Sequence, residues 1–306
     1  MQAPSVLYLY KMQKNNQLIC IVGQTATGKS SLALRIAQAW NGEIICADSW
    51  TIRRDVNIGT AKPTNEDRKL VPHHLIDVVG PDEDFNAALF KDLANKAIAD
   101  ILSRGKLPIM VGGTGLYIDS VIYDYSFATV GNRNVRSILN DLTIPELLKK
   151  IDRLDIELGE VDIRNKRRLI RLIEANGVRP TKKKLRNQTL LLGLSIDNYE
   201  LKQHIADRVD AMFNAGLEDE VKQLYENYGW DCEALRGIGY AQWRAYFLGS
   251  ENREQVRKKI NQATVNLAKR QGTWFKRNKS IHWLDTSVKW SEVVDLITTF
   301  MHNNIS

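Results

Sequence analysis

The apolar run Leu18-Ile19-Cys20-Ile21-Val22 leads straight into Gly23-Gln24-Thr25-Ala26-Thr27-Gly28-Lys29-Ser30, and that into Ser31-Leu32-Ala33-Leu34-Arg35-Ile36-Ala37. A buried strand, a Gly-rich turn and a helix with apolar residues at helical spacing constrain the fold more than any other stretch. Gly23 and Gly28 let the backbone curl so that successive N–H groups converge. The helix N-terminus adds its partial positive charge at the same spot. Lys29 is placed to reach a terminal phosphate, and Ser30 to offer its hydroxyl to Mg2+. Gly23 to Ser30 therefore reads as a phosphate-binding loop of the nucleotide- and ATP-binding type. A bland Gly-rich turn is the competing reading.

The segments that follow extend a parallel sheet. Ile44-Ile45-Cys46-Ala47 is a short strand ending at Asp48-Ser49, and Phe85 to Leu102 is helical and stops at Gly105. Leu107-Pro108-Ile109-Met110-Val111 is a third strand, breaking into Gly112-Gly113-Thr114-Gly115. Alternating strands and helices are the pattern of a parallel sheet with covering helices. Asp48 then falls at the C-terminal end of a strand beside the loop, where open α/β sheets keep their chemistry. It is a candidate base or ligand; capping the next turn is its plainer role. Thr114 brings a hydroxyl to the glycine-rich turn. His73-His74 reads as polar loop packing, since no third metal ligand is spaced to join the pair.

From about Ser126 strands give way to short helices, Thr143 to Leu158 and Asn165 to Ala175, and strand character returns at Thr189 to Leu194. The remainder is mostly helix, including a long amphipathic one from Arg253 to Lys276 in which Trp274 and Phe275 read as core. The expected domains are an N-terminal tail of 1–16, a P-loop α/β core of 17–125 and 187–306, and a small helical insertion of 126–186. Net charge is +7, and between Arg164 and Arg186 ten Lys or Arg accompany one acid, Glu174. A clustered basic face is the footprint of a polyanion partner, with a solvated helix face as the alternative. No apolar run approaches the roughly 18 residues of a membrane span. Residues 1–16 lack the pattern of a signal peptide. Cys20, Cys46 and Cys232 have neither metal nor disulfide spacing, which suits a cytoplasmic protein. A monomer is expected, as no heptad or exposed sticky strand stands out.

Taken in order, the motifs resemble those of the tRNA dimethylallyltransferase family, from Leu18 to Trp283. Beyond the phosphate loop they are Asp48-Ser49, Ile58-Gly59-Thr60-Ala61-Lys62-Pro63, Pro72-His73-His74-Leu75-Ile76-Asp77 and Gly112-Gly113-Thr114-Gly115-Leu116-Tyr117. Further on come Arg208-Val209-Asp210-Ala211-Met212, Gly216-Leu217-Glu218-Asp219-Glu220-Val221, Gly237-Ile238-Gly239-Tyr240 and Ala268-Lys269-Arg270-Gln271-Gly272-Thr273-Trp274-Phe275. The resemblance implies a P-loop fold used without nucleotide hydrolysis, in which the loop holds dimethylallyl diphosphate. The dimethylallyl group passes to N6 of the adenosine 3′ of the anticodon in tRNA. It assigns Lys29, Arg208 and Mg2+ at Ser30 to the leaving diphosphate, Asp48 to the N6 proton, and Thr114 to the site of the reacting nucleotide. Contacts with the tRNA anticodon stem-loop are implied for Asp48, Ser49, Trp50, Thr51 and Thr114, and for Arg167, Arg168 and Arg171 of the insertion.

Three positions depart from the family pattern. The family usually continues Asp-Ser-Met-Gln with a Tyr shortly after, whereas this chain reads Asp48-Ser49-Trp50-Thr51-Ile52-Arg53. Arg164-Asn165 stands where Asn-Asp is usual, and Asn198 where an Arg is common. Lys29, Ser30, Asp48, Thr114 and Arg208 are intact, so activity is expected, with altered tRNA preference. No Cys/His pairing follows Trp283 to match the zinc finger of eukaryotic members, which makes the resemblance bacterial in type. Other readings remain open at this point. A small-molecule kinase on the same fold predicts ATP turnover, and an adenylate-type isopentenyltransferase needs no basic insertion. A tRNA-binding paralogue impaired in catalysis rests on the change at Trp50-Thr51.

Overall fold

The computed structural model describes residues 16–128 and 133–303. β1 (Leu18–Gly23), β2 (Gly42–Cys46), β3 (His73–His74), β4 (Leu107–Gly112), β5 (Thr189–Ser195) and β6 (Ile281–Asp285) form one parallel sheet in the order β3-β2-β4-β1-β5-β6. Strands β1, β2 and β4 are buried along their whole length; β1 and β4 are continuous apolar runs, as that burial requires, while β2 carries Glu43 beside its apolar residues. At the centre of the sheet Ile21 faces Val111 on one side and Leu192 on the other. The α/β parallel architecture is the expected one.

Two edge strands differ from expectation. His73-His74, read as loop, is β3, which pairs with Ile44 and Ile45. β6 has only Ile281 buried, so its pattern carries no continuous apolar run to mark it.

Helices α1 (Lys29–Ala39), α2 (Asn65–Leu70), α3 (Ala87–Ser103) and α4 (Gly115–Ile122) connect the first strands. The chain then leaves the core and forms a separate compact unit, Tyr123–Lys184, containing α5 (Arg133–Asp141), α6 (Ile144–Arg153) and α7 (Lys166–Glu174). This unit has its own core of Leu139, Leu147, Ile151, Leu169, Ile170 and Ile173. On α7 the apolar face is buried while Arg167 and Arg168 are exposed and Arg171 is half-buried. Glu174 takes a bond from Arg136 Nη2 at 2.7 Å, so the acid of the basic stretch is already engaged. Where the core resumes, Arg186 N–H donates to Ile122 O at 2.7 Å.

The C-terminal part adds α8 (Asn198–Asn214), α9 (Leu217–Tyr228), the short α10 (Arg244–Phe247), α11 (Arg253–Phe275) and α12 (Trp290–Asn303). Val293, Ile297 and Met301 of α12 join Ala33 and Ile36 of α1 on the strand residues Ile19 and Ile44. A second cluster unites Ile205 and Val209 of α8, Val221 of α9 and Ile260 of α11 around Tyr240 and Trp243. Phe275 is buried, as read from the sequence. The first cluster packs on the sheet, and the second includes Val56 with Ile58 packed against it, from the segment that follows β2.

Candidate active site

Each loop of interest leaves the C-terminal end of a strand, the end at which α/β sheets bind ligands. After β1 the chain turns through left-handed residues at Ala26 (φ 63°) and Gly28 (φ 82°), a geometry that makes a concave nest of N–H groups. Gly28 caps α1 at its N-terminus. The turn is braced from within by Thr27 Oγ1, which donates to Gln24 O at 2.9 Å. Lys29 Nζ donates to the same carbonyl. Burial, with the Arg208 cation close by, pulls the Lys29 amine down to about 7, against the opposing effect of Asp48.

Arg208 comes from α8, far along the chain. Its Nη1 donates to Thr25 Oγ1 at 3.0 Å and its Nη2 to Thr60 O at 3.2 Å. Burial lowers its pKa, with Asp48 pulling the other way; a guanidinium nonetheless stays charged at any pH that keeps a protein folded.

Asp48 follows β2. Its Oδ1 accepts Trp50 N–H at 2.8 Å and Thr51 N–H at 3.3 Å, so the carboxylate is held by the turn that it caps. Thr114 Oγ1 accepts Ser49 N–H at 3.1 Å, and Thr114 N–H donates to Ala47 O at 3.3 Å. The loops after β2 and β4 are thereby locked together. A cavity of about 400 Å³ opens over them, lined by Asp48, Ser49, Trp50, Thr114 and Arg208 and on its apolar side by Met212 and Ile260. A smaller one of about 110 Å³ holds Lys29 and Ser30 and shares Thr25, Asp48 and Arg208 with the first.

The structure thus brings the loop, Asp48, Thr114 and Arg208 to one place. Thr51 is buried at 7% exposure and lines the smaller cavity, and its Oγ1 has no hydrogen-bond partner among the described residues. Trp50 lines the larger cavity and lies close over Gly237. Arg53 is buried and ties down the backbone of a neighbouring loop, donating to Glu83 O at 2.6 Å. Arg167, Arg168 and Arg171 belong to the Tyr123–Lys184 unit. His74 Nε2 lies 2.7 Å from Oε2 of Glu43, a β2 carboxylate that also takes Lys106 Nζ at 2.7 Å.

One participant was missed. Gln271 of α11 accepts Thr25 N–H at 2.7 Å through Oε1 and donates to Gly113 O at 3.1 Å through Nε2, bridging the loops after β1 and β4. A signal existed: Ala268, Gln271, Gly272 and Phe275 are one buried stripe at helical spacing, with an amide on an apolar face. Trp274, by contrast, sends its indole N–H to Asp119 Oδ2 at 2.9 Å.

A parallel sheet whose C-terminal ends bring a Gly-rich turn, a lysine amine, a guanidinium and a carboxylate to one cavity has the site of an α/β enzyme. The sequence profile described as IPP transferase matches residues 51–278. A tRNA dimethylallyltransferase of Bacillus cytotoxicus is 36% identical over 290 residues, covering 90% of this chain and 92% of the relative. That of Desulforudis audaxviator is 40% identical over 286 residues, covering 88% and 91%. Among solved structures, the full-length tRNA isopentenylpyrophosphate transferase of Bacillus halodurans superposes with a TM-score of 0.73 at 34% identity, covering 95% of this chain and 97% of that one. A eukaryotic dimethylallyltransferase acting on tRNA gives 0.77 at 26% identity, covering 95% and 80%. The chain belongs to the IPP transferase family.

Proposed function

We propose that the protein transfers the dimethylallyl group of dimethylallyl diphosphate to N6 of the adenosine 3′ of the anticodon in tRNA. The C1–O bond to diphosphate breaks, the N6–C1 bond forms, and N6 gives up a proton. The observation that carries this reading is that Asp48, Thr114 and Arg208 line one cavity, with the Gly23–Ser30 loop at its edge. The allylic carbon turns cationic as negative charge gathers on the departing diphosphate. Lys29 and Arg208 face that charge from fixed positions, which is where electrostatic stabilisation has most effect. Asp48, its Oδ1 held by two backbone N–H groups, presents Oδ2 to the N6 proton. Thr114, anchored on the Ser49 amide, orients the nucleotide.

Mg2+ would be held at Ser30, which lines the smaller cavity and offers a hard oxygen donor of the kind Mg2+ takes together with phosphate oxygens and water. Bound there, the ion would add positive charge beside the diphosphate. The exposed Arg167 and Arg168, with Arg171, would contact phosphates of the anticodon stem-loop, a use of charge that sets affinity and register more than sequence. Three buried free thiols suit a cytoplasmic enzyme, read here as a monomer, and among the described residues no helix is long and apolar enough to cross a membrane.

The test is transfer of label from radioactive dimethylallyl diphosphate into bulk bacterial tRNA by wild type and Asp48→Ala, with ATP hydrolysis followed alongside. Label entering tRNA and lost in the variant is the expected outcome. Phosphate release from ATP without label would favour a kinase instead.

A further inference from the structure

We infer that Glu220 is a positioning residue for the diphosphate end of the site, acting on Arg208 through the loop Asn57-Ile58-Gly59-Thr60. The inference rests on the reading of Arg208 as a diphosphate ligand. Glu220 lies in the first turn of α9 and lines neither of the two cavities. Three successive backbone N–H groups converge on its carboxylate. Asn57 N–H donates to Oε2 at 2.9 Å, Ile58 N–H to Oε2 at 2.9 Å and Oε1 at 3.0 Å, and Gly59 N–H to Oε1 at 3.1 Å. Tyr240 Oη adds a fourth donor, 2.7 Å from Oε1. The loop is therefore an anion nest filled by the protein's own carboxylate.

The surroundings leave this arrangement little play. Tyr240 is fully buried, and its ring lies so close to Gly59 that a Cβ there would come within 2.6 Å of ring carbons. Thr60 Oγ1 closes the turn by donating to Val56 O at 2.6 Å. What the turn delivers is Thr60 O, which accepts from Arg208 Nη2, while Nη1 of the same guanidinium is held by Thr25 in the phosphate loop. Arg208 is slung between two loops, and Glu220 fixes one of them. Replacing the carboxylate by an amide sets an N–H2 against backbone N–H donors, so the turn must move and Thr60 O with it.

The experiment is a double-mutant cycle on the affinity for inorganic diphosphate in the presence of Mg2+, with wild type, Glu220→Gln, Arg208→Lys and the double variant. Glu220→Gln is expected to weaken diphosphate about tenfold and to raise KM for dimethylallyl diphosphate, while the affinity for tRNA changes less than twofold. On the Arg208→Lys background it should cost less than a further twofold. Tyr240→Phe, which removes one donor and keeps the three amides, should weaken diphosphate two- to threefold. Additive effects of Glu220→Gln and Arg208→Lys, or equal losses in diphosphate and tRNA affinity, would overturn the coupling. If Glu220→Gln does not fold, undiminished diphosphate affinity in Tyr240→Phe overturns it as well. Diphosphate affinity indifferent to Arg208→Lys would take down the functional reading, and this inference with it.

Discussion

On the proposed reading, Lys29 makes diphosphate binding a proton-coupled event. In the ligand-free protein burial and Arg208 hold its amine at about 7, yet a diphosphate selects the charged form. At pH 8 roughly nine-tenths of the population carries a neutral amine that must take up a proton on binding, at a cost of about 1.4 kcal/mol. At pH 6 that cost is nearly zero, so affinity should fall about tenfold between the two pH values and about tenfold more by pH 9. The ligand of choice is dimethylallyl thiolodiphosphate, which keeps the diphosphate but reacts poorly. Calorimetry at pH 8 in two buffers of different ionisation enthalpy should report uptake of about 0.9 proton per site, against about 0.1 at pH 6. The same shift has a stability face. The folded value lies below the unfolded one of about 10.4, so this group's stabilising contribution is full above about 10.4 and lost as pH falls to about 7. Lys29→Met removes that slope while abolishing uptake. A wild-type protein that binds at pH 8 without taking up protons, or Lys29→Arg taking up as many as wild type, would refute the reasoning.

Two other outcomes are open to measurement. Glu43 is 2% exposed and receives Arg104 through both nitrogens together with Lys106 and His74, and its carboxyl lies well below the usual range chiefly because of Arg104. Removing a buried partner costs about 3–5 kcal/mol when the other charge is stranded, but Arg104 and Lys106 are partly exposed and swing to water, so Glu43→Gln should lose about 2 kcal/mol in urea at pH 7. The folded value is depressed, so this contribution is full above about 4.3 and lost as pH falls further; the gap between wild type and variant should close below pH 4. In the helical unit, Arg167→Ala and Arg168→Ala should each reduce the slope of log K against log salt for tRNA binding by about 0.7 to 0.9, with transfer at saturating tRNA unchanged.

Much of the core could be read from residue order because its two central strands, β1 and β4, are buried along their whole length and carry no polar interruption. The edges obey another logic. His73-His74 is a strand only because Ile44 and Ile45 pair with it, a property of the partner that no local pattern records. Trp290–Asn303 carries Val293, Ile297 and Met301 at helical spacing, but its packing against α1 from the far end of the chain is a tertiary fact that residue order does not assign. In the site, Asp48, Lys29 and Ser30 were legible as ends of strands and turns, whereas Thr114 and Arg208 gained roles through the family resemblance. Glu220 and Gln271 lay inside recognised motifs without a role. An acid in the first turn of a helix looks like dipole compensation, and its amide partners lie some 160 residues upstream.

The hydrogen bond from Arg186 to Ile122 bears on what the fold can accommodate. A scaffold whose exit and re-entry points adjoin tolerates whatever is spliced between them, since closing a longer excursion costs only about 0.6 kcal/mol per doubling of its length. Tyr123–Lys184 is then a cassette. Its length and content can change without moving the sheet or the loops at the strand ends.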